Sequence, residues 1–466
     1  MENWTPAHFE AKGTIQTQNG PVSYLAISED HVFYDETGAP EATIFSYSYF
    51  RADAPQADRP VLFVYNGGPG SSCVWMHTGM MGPWRMKYED AVHPPVNPPY
   101  EMKENDDWLL DTCDIVMVDP VGTGYARLLK PEKAERYYGP GNDAWAIAEF
   151  IEAWLRKYDR RNSPIYLAGE SYGTIRTPLL VQELMCGPTG AAGKMRGIPV
   201  KGVLLLGTVL DIGATPLPVP REPMDLYTEA AVAWYHKPEG KKPLRGHLED
   251  AWKFGTGKYL TSLYLKNSLS AQERQELAET LTYFTDVDAA YFKEHDYRIT
   301  LDEFSHQVGK SRGFDVGLYD GRYTMPHTER TELLDPVIDD PAMGAYTPSM
   351  TAAMETILKK KLNIVLDREY KAIAFKEVNM HWKFEYLVPP RTCLERAARR
   401  NPDFRIFLGA GLYDLVTSPG YARALKNQLD VAPEQIVHHE YESGHMPYLG
   451  EESFHRLVGD IRAFIR

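Results

Sequence analysis

The pattern of apolar and polar positions changes character twice along this chain. Toward the N-terminus, Gly13-Thr14-Ile15-Gln16-Thr17 and Val22-Ser23-Tyr24-Leu25-Ala26-Ile27 flank Asn19-Gly20, and Thr43–Phe50 alternates aromatic and polar residues. Such runs around an Asn-Gly pair predict a hairpin, followed by one more strand. Then come short, continuous apolar runs: Val61–Tyr65, Ile115–Val118, Ile165–Ala168, Val203–Leu206, Phe404–Leu408 and Gln435–His439. Strands apolar on both faces suit a parallel sheet covered by helices. Helical spacing lies between them, as over Asp143–Tyr158, where Trp145, Ala148, Ile151, Ala153 and Leu155 form a broad apolar face behind Asn142 or Asp143 as N-cap. Alternating strand and helix predicts an α/β sheet.

From about Asp211 to Tyr346 the rhythm is lost. A Pro-rich linker, Thr215–Pro220, leads into helical, aromatic stretches at Asp225–His236, Leu248–Leu265 and Ser270–Phe284, the last opening on a capping box, Ser270-Ala271-Gln272-Glu273. The expected organisation is therefore a core of residues 1–210 and 347–466 with a helical cap, 211–346, inserted between two core strands. A further helix is expected after Pro348, with Lys359-Lys360-Lys361 on its exposed face.

Composition narrows the function classes. A chain of 466 residues with 43% hydrophobic content can bury a large core, and a net charge of −14 argues against a general affinity for nucleic acid or anionic membrane. Nothing approaches the roughly 20 apolar residues of a membrane span. Met1-Glu2-Asn3-Trp4-Thr5-Pro6 lacks the charged and apolar regions of a signal peptide, so the expectation is a cytoplasmic protein, or a secreted or periplasmic one if a leader has been removed. Cys73, Cys113, Cys186 and Cys393 stand far apart without zinc-ligand spacing and are expected to be reduced.

Chemistry enters with Gly169-Glu170-Ser171-Tyr172-Gly173, directly after an apolar run. A strand entering Gly-x-Ser-x-Gly describes a sharp turn that lifts a serine hydroxyl above a sheet. An activated serine needs a base and an acid that orients the base. In the required order, Asp414 follows the Phe404–Leu408 strand and His445 follows the Gln435–His439 strand, both at carboxyl ends where α/β folds place their chemistry. Asn66-Gly67-Gly68-Pro69-Gly70-Ser71-Ser72 follows the Val61–Tyr65 strand and nominates the amides of Gly68 and Tyr172 as oxyanion donors.

These segments, with Asp119-Pro120-Val121-Gly122-Thr123-Gly124-Tyr125 and Ser443-Gly444-His445-Met446-Pro447, resemble the signatures of the serine carboxypeptidases, in that family's order. The resemblance implies an α/β-hydrolase fold, mostly parallel with an inserted helical cap, and release of C-terminal residues from peptides through an acyl-enzyme. It implies Ser171, Asp414 and His445 as the triad, and Asn66, Gly67 N–H and Glu170 as the group that binds the substrate carboxylate. The partner is then a peptide with a free C-terminus, and no metal or organic cofactor is required. A glutamate beside a substrate carboxylate needs one of the two protonated, which implies activity on the acidic side of neutral. Three positions depart from the family pattern: Met80 where many members place a second glutamate, Ser71 for a common cysteine, and Ala126 for a common serine. An acyltransferase or esterase of the same fold is accordingly the alternative, and a non-catalytic binding protein a second one.

Other features take plainer readings. Trp234, Tyr235, Tyr264 and Phe292 are expected in the core of the cap, with a role as pocket walls as the alternative. Asp335-Pro336-Val337-Ile338-Asp339-Asp340 is expected as a solvated loop, since it lacks the spacing of a calcium loop. His77, His93, His236, His438 and His439 show no metal-ligand spacing.

Overall fold

A computed structural model describes residues 4–54, 58–88, 90–188, 193–214, 216–328, 335 and 337–466. Met1–Asn3 of the N-terminal segment, Thr215 of the Pro-rich linker and Pro336 of the acidic cluster lie outside the described residues.

One nine-stranded sheet organises the chain. Its strands are β1 (His8–Thr17), β2 (Gly20–Tyr34), β3 (Pro40–Arg51), β4 (Val61–Tyr65), β5 (Asp114–Asp119), β6 (Ile165–Glu170), β7 (Gly202–Leu206), β8 (Arg405–Gly411) and β9 (Ile436–Tyr441), in the order β1-β2-β3-β5-β4-β6-β7-β8-β9. The first three and the β3–β5 pair are antiparallel; β5, β4, β6, β7, β8 and β9 run parallel. The expected hairpin forms, with Thr17 opposite Gly20 and Gly20 at φ +102°, a backbone that glycine adopts without steric cost. Its second strand runs well past Ile27, because Glu29 and Asp30 find distant partners. Glu29 takes Lys157 and Tyr158, and Asp30 takes Arg368.

The parallel strands bury both faces. Leu62 and Val64 of β4 face one core layer, and Val61, Phe63 and Tyr65 face the other. Helices α1 (Pro140–Lys157) and α2 (Gly173–Met185) cover the second face. Helix α1 starts on Gly139 as N-cap and Pro140, not on Asn142 or Asp143: proline's fixed φ suits the first turn, and Asp143 is turned inward to Arg176.

Between β7 and β8 the chain builds α3 (Glu222–His236), α4 (Leu244–Phe254), α5 (Ala271–Thr285) and α6 (Pro341–Thr356). Ser270 caps α5 with the reciprocal Glu273 bonds of a capping box. Helix α6 begins seven residues before Pro348, contrary to expectation, because buried Asp340 accepts from the amides of Ala342 and Met343 at 2.9 Å each. That also corrects the reading of the acidic cluster, whose Asp340 is a buried cap rather than a solvated side chain. A third apolar cluster joins α3, α4 and α5 to Leu412, Tyr413 and Leu415, which follow β8. Phe292 lies in this cluster, whereas Tyr264 is 89% exposed and belongs neither to core nor to pocket. The chain closes with α7 (Pro390–Arg400), α8 (Pro419–Gln428) and α9 (Glu451–Ile465), the last packing Phe454, Leu457, Val458 and Ile461 on the first core layer. All four cysteines are buried and free. Among the described residues no helix is long and apolar enough to cross a membrane.

Candidate active site

Strand β6 delivers Glu170 and Ser171 into a tight turn. Ser171 sits at φ +59°, a left-handed conformation that costs a non-glycine residue about 1–3 kcal/mol and persists only where its surroundings enforce it. Here the Ser171 amide donates to Leu206 O at 2.9 Å, and its carbonyl accepts from Thr174 N at 2.8 Å. Gly169 is obligatory, since a Cβ there would come within 2.2 Å of Gly173 O, and Gly173 is crowded, with a Cβ at 3.2 Å from Tyr65 O.

Asp414 and His445 lie on the loops after β8 and β9, with His445 Nδ1 2.9 Å from Asp414 Oδ2. Both are buried. Asp414 Oδ1 accepts from the amides of Val416 and Thr417 at 2.8 Å each, and the Thr417 hydroxyl bonds to Oδ2 while standing 3.1 Å from His445 Nδ1. This collar leaves Nδ1 as the protonated nitrogen and Nε2 as the acceptor, a tautomer assigned from the network. Burial would depress the imidazole's pKa, but the Asp414 charge and hydrogen bond outweigh it and raise it above the ordinary value. Tyr319 completes the seat, accepting the His445 amide at 2.6 Å and meeting the ring edge-on at 5.2 Å. Gly207, which follows β7, lies between this pair and the serine turn, and a Cβ there would come within 3.3 Å of His445 Cε1. Ser171 Oγ and His445 Nε2 make no hydrogen bond among the described residues. The acid–base pair is formed.

The loop after β4 closes on the same turn. A Cβ on Gly67 would lie 2.5 Å from Tyr172 N and 2.8 Å from Ser171 Cβ, so only glycine allows this approach. Gly68, exposed and at φ +103°, follows it. The amides of Gly68 and Tyr172 donate to no acceptor among the described residues, which leaves both available beside Ser171. The loop is held from outside by a strap of residues 371–379: Ser72 N donates to Ala372 O at 2.9 Å, Ala374 N to Gly70 O at 2.8 Å, and Asn379 Nδ2 to Pro69 O at 3.0 Å. Trp382 and Phe384 then pack edge-on against Tyr172. Sequence reasoning missed this strap, and the alternation Trp382, Phe384, Tyr386, Val388 signals only the segment that follows it.

Glu170 and Asn66 are brought together, with Asn66 Nδ2 donating to Glu170 Oε2 at 3.1 Å. Both are buried. Asn66 is fixed by Met76 N, which donates to its Oδ1 at 3.1 Å, and by Arg176 Nη1, which donates to its carbonyl at 2.6 Å. Arg176 is itself paired with buried Asp143 at 2.6 Å, a partnership that the helical pattern did not disclose. Burial pushes the Glu170 carboxyl up to about 7, opposed by the charge of His445 and by hydrogen bonds from Tyr448 and Asn66, and aided by the charge of Asp414. Met80 is buried in the core layer that also holds Tyr448, and a Cβ on neighbouring Gly79 would come 2.4 Å from Tyr448 Cε2.

A cavity of about 400 Å³ opens beyond Tyr448, lined by Gly79, Met350, Tyr413, Arg322 and two side chains of α3, Trp234 and Tyr235. Those two aromatics of α3 therefore line a cavity rather than a core. Among the described residues no cluster of three or more His, Cys, Asp or Glu side chains could hold a metal ion.

Residues 28–212 match the family model described as serine carboxypeptidase. Serine carboxypeptidase-like 9 and serine carboxypeptidase-like 8 of Arabidopsis thaliana are similar at 28% identity over 179 residues and 27% over 200. These matches cover 36% and 41% of this chain but only 39% and 42% of the relatives. The whole fold is similar to that of Kex1(delta)p, a prohormone-processing carboxypeptidase from Saccharomyces cerevisiae. The TM-score is 0.58 at 15% identity, covering 98% of this chain and 95% of that one.

Proposed function

From the relationship of residues 28–212 to the serine carboxypeptidases, and from the α/β-hydrolase fold of the chain, we propose that this protein is a serine carboxypeptidase. Ser171 Oγ attacks the carbonyl of the last peptide bond while His445 Nε2 takes its proton, and Asp414 stabilises the imidazolium that forms. Negative charge on the carbonyl oxygen is met by the Gly68 and Tyr172 amides. His445 passes the proton to the leaving amine, the C-terminal residue departs, and water reverses the sequence on the acyl-enzyme. Asn66, the Gly67 N–H and Glu170 hold the α-carboxylate of the residue to be released.

The observation that carries this reading is the buried Asn66–Glu170 pair on the residue next to Ser171. A general esterase has no use for a carboxyl raised to about 7 at that point. Protonated, Glu170 donates to a substrate carboxylate; ionised, it repels one. KM for a free-carboxylate peptide is therefore expected to be low below pH 7 and to climb as pH rises through that value. Cleavage of an N-blocked dipeptide from pH 4 to 8, beside its C-terminal amide and the Ser171→Ala variant, tests this. Turnover that needs both the carboxylate and Ser171, with a KM that climbs as pH rises, is the expected result. Equal turnover of the amide would refute it. Met80, in place of a second carboxyl, is the one observation favouring an acyltransferase or esterase, and that outcome would select it.

A further inference from the structure

Glu170 receives two donors on one oxygen. Asn66 Nδ2 reaches Oε2 at 3.1 Å and Tyr448 Oη reaches the same atom at 2.8 Å, while Oε1 receives no hydrogen bond among the described residues. Both donor atoms are held in place. Asn66 is oriented by Met76 N on its Oδ1, and Tyr448 is buried with its ring against Gly79. Oxygen bearing the proton of a carboxylic acid is a poor acceptor, and the carbonyl oxygen a good one. Two fixed donors on Oε2 therefore make it the carbonyl oxygen of the neutral acid.

We propose that Tyr448 is a positioning residue which confines the proton of Glu170 to Oε1, so that Glu170 presents one oriented donor to the substrate carboxylate. A phenol thereby does the work of a partner carboxyl, in a site where Met80 supplies none. The inference rests on the carboxypeptidase reading. Its electrostatic setting has four contributors around Glu170: His445 and Tyr448 from the loop after β9, Asp414 from the loop after β8, and Asn66, backed by Arg176, from the glycine loop.

Two variants test it. Tyr448→Phe keeps the ring but removes a donor that favours the ionised carboxylate, so the pH at which KM for a free-carboxylate dipeptide begins to climb moves up by about one unit. On the acid side KM rises several-fold relative to wild type, because the proton is no longer held on Oε1. In Glu170→Gln the two donors select the carboxamide oxygen and leave its NH2 at the Oε1 position. KM in that variant should lose its pH dependence between pH 5 and 8. Fluorophosphonate labelling of Ser171 reports whether each variant is folded. A Tyr448→Phe enzyme that labels normally and keeps the wild-type KM limb overturns the proposal, since a packing role alone would leave that limb in place. If Tyr448→Phe does not fold, Glu170→Gln decides: a flat KM profile with peptide still bound supports the proposal, and loss of peptide binding at every pH overturns it. Failure of the reading beneath is separate, because it shows in the wild type as indifference to the C-terminal amide.

Discussion

Replacing Gly67 by alanine tests the glycine loop at its tightest point. The new Cβ would stand 2.5 Å from Tyr172 N, 2.7 Å from Glu170 O and 2.8 Å from Ser171 Cβ, where ordinary contact begins at 3.4 Å. Two of these three atoms are backbone of the nucleophile turn, so no side chain can swing aside to relieve them. The loop must retreat by about 1 Å, and it carries Gly68 N–H and Asn66 with it. A displacement of that size at a reacting centre costs on the order of 10²-fold, and loss of one oxyanion donor costs about 10²–10³ in kcat. Expected, then, is a fall in kcat of at least about 100-fold on an N-blocked dipeptide, with slower fluorophosphonate labelling and a thermal midpoint near that of wild type. Gly141→Ala, at a position with open space around its Cβ, is the control and should change neither. A Gly67→Ala enzyme with kcat within about threefold of wild type would refute the argument.

Two further perturbations probe the supports of the site. Thr417→Val removes the hydroxyl from Asp414 and His445, and should lower kcat about tenfold with KM unchanged, the effect of roughly one hydrogen bond; an unaltered kcat would mean that the Val416 and Thr417 amides hold Asp414 unaided. Arg176→Ala strands Asp143 as a buried carboxylate without its partner and should cost about 3–5 kcal/mol in urea unfolding, whereas a loss below about 1 kcal/mol would show that water reaches the site and replaces the guanidinium.

What could be read from the sequence divides by the range of the interaction. Strands such as Val61–Tyr65 announce themselves because burial on both faces leaves no polar residue in the run, and the nucleophile turn because Gly169 is forced by the carbonyl of Gly173 only a few residues on. Asp414 and His445 were found through chain order and strand ends, although 243 and 274 residues separate them from Ser171. Tyr448, Thr417 and the Arg176–Asp143 pair were not found. Each acts through one hydrogen bond or ion pair whose partner leaves no periodic trace, and Tyr448 meets Glu170 across 278 residues. The same holds for β2, where polar Glu29 and Asp30 look like the end of a strand until Lys157 and Arg368 satisfy them. Helix α6 misled for a different reason: Pro348 reads as a start signal, yet Asp340 and Pro341 provide a better one earlier.

The apolar cluster shared by α3 and the segment Leu412–Leu415 has a consequence for redesign. Thr228 of α3 donates to the carbonyls of Leu412 and Asp414, at 2.9 and 3.2 Å, so the first helix after β7 forms the floor beneath Asp414. The segment between β7 and β8 is thus no interchangeable module. A graft from another enzyme that replaced residues 222–236 to alter the cavity walls at Trp234 and Tyr235 would unseat Asp414 at the same stroke, unless the Leu412–Leu415 segment travelled with it. Because α3 is buried from Pro223 to Ala233, the walls of the cavity and the seat of Asp414 are mechanically one unit, and a change made at one is felt at the other.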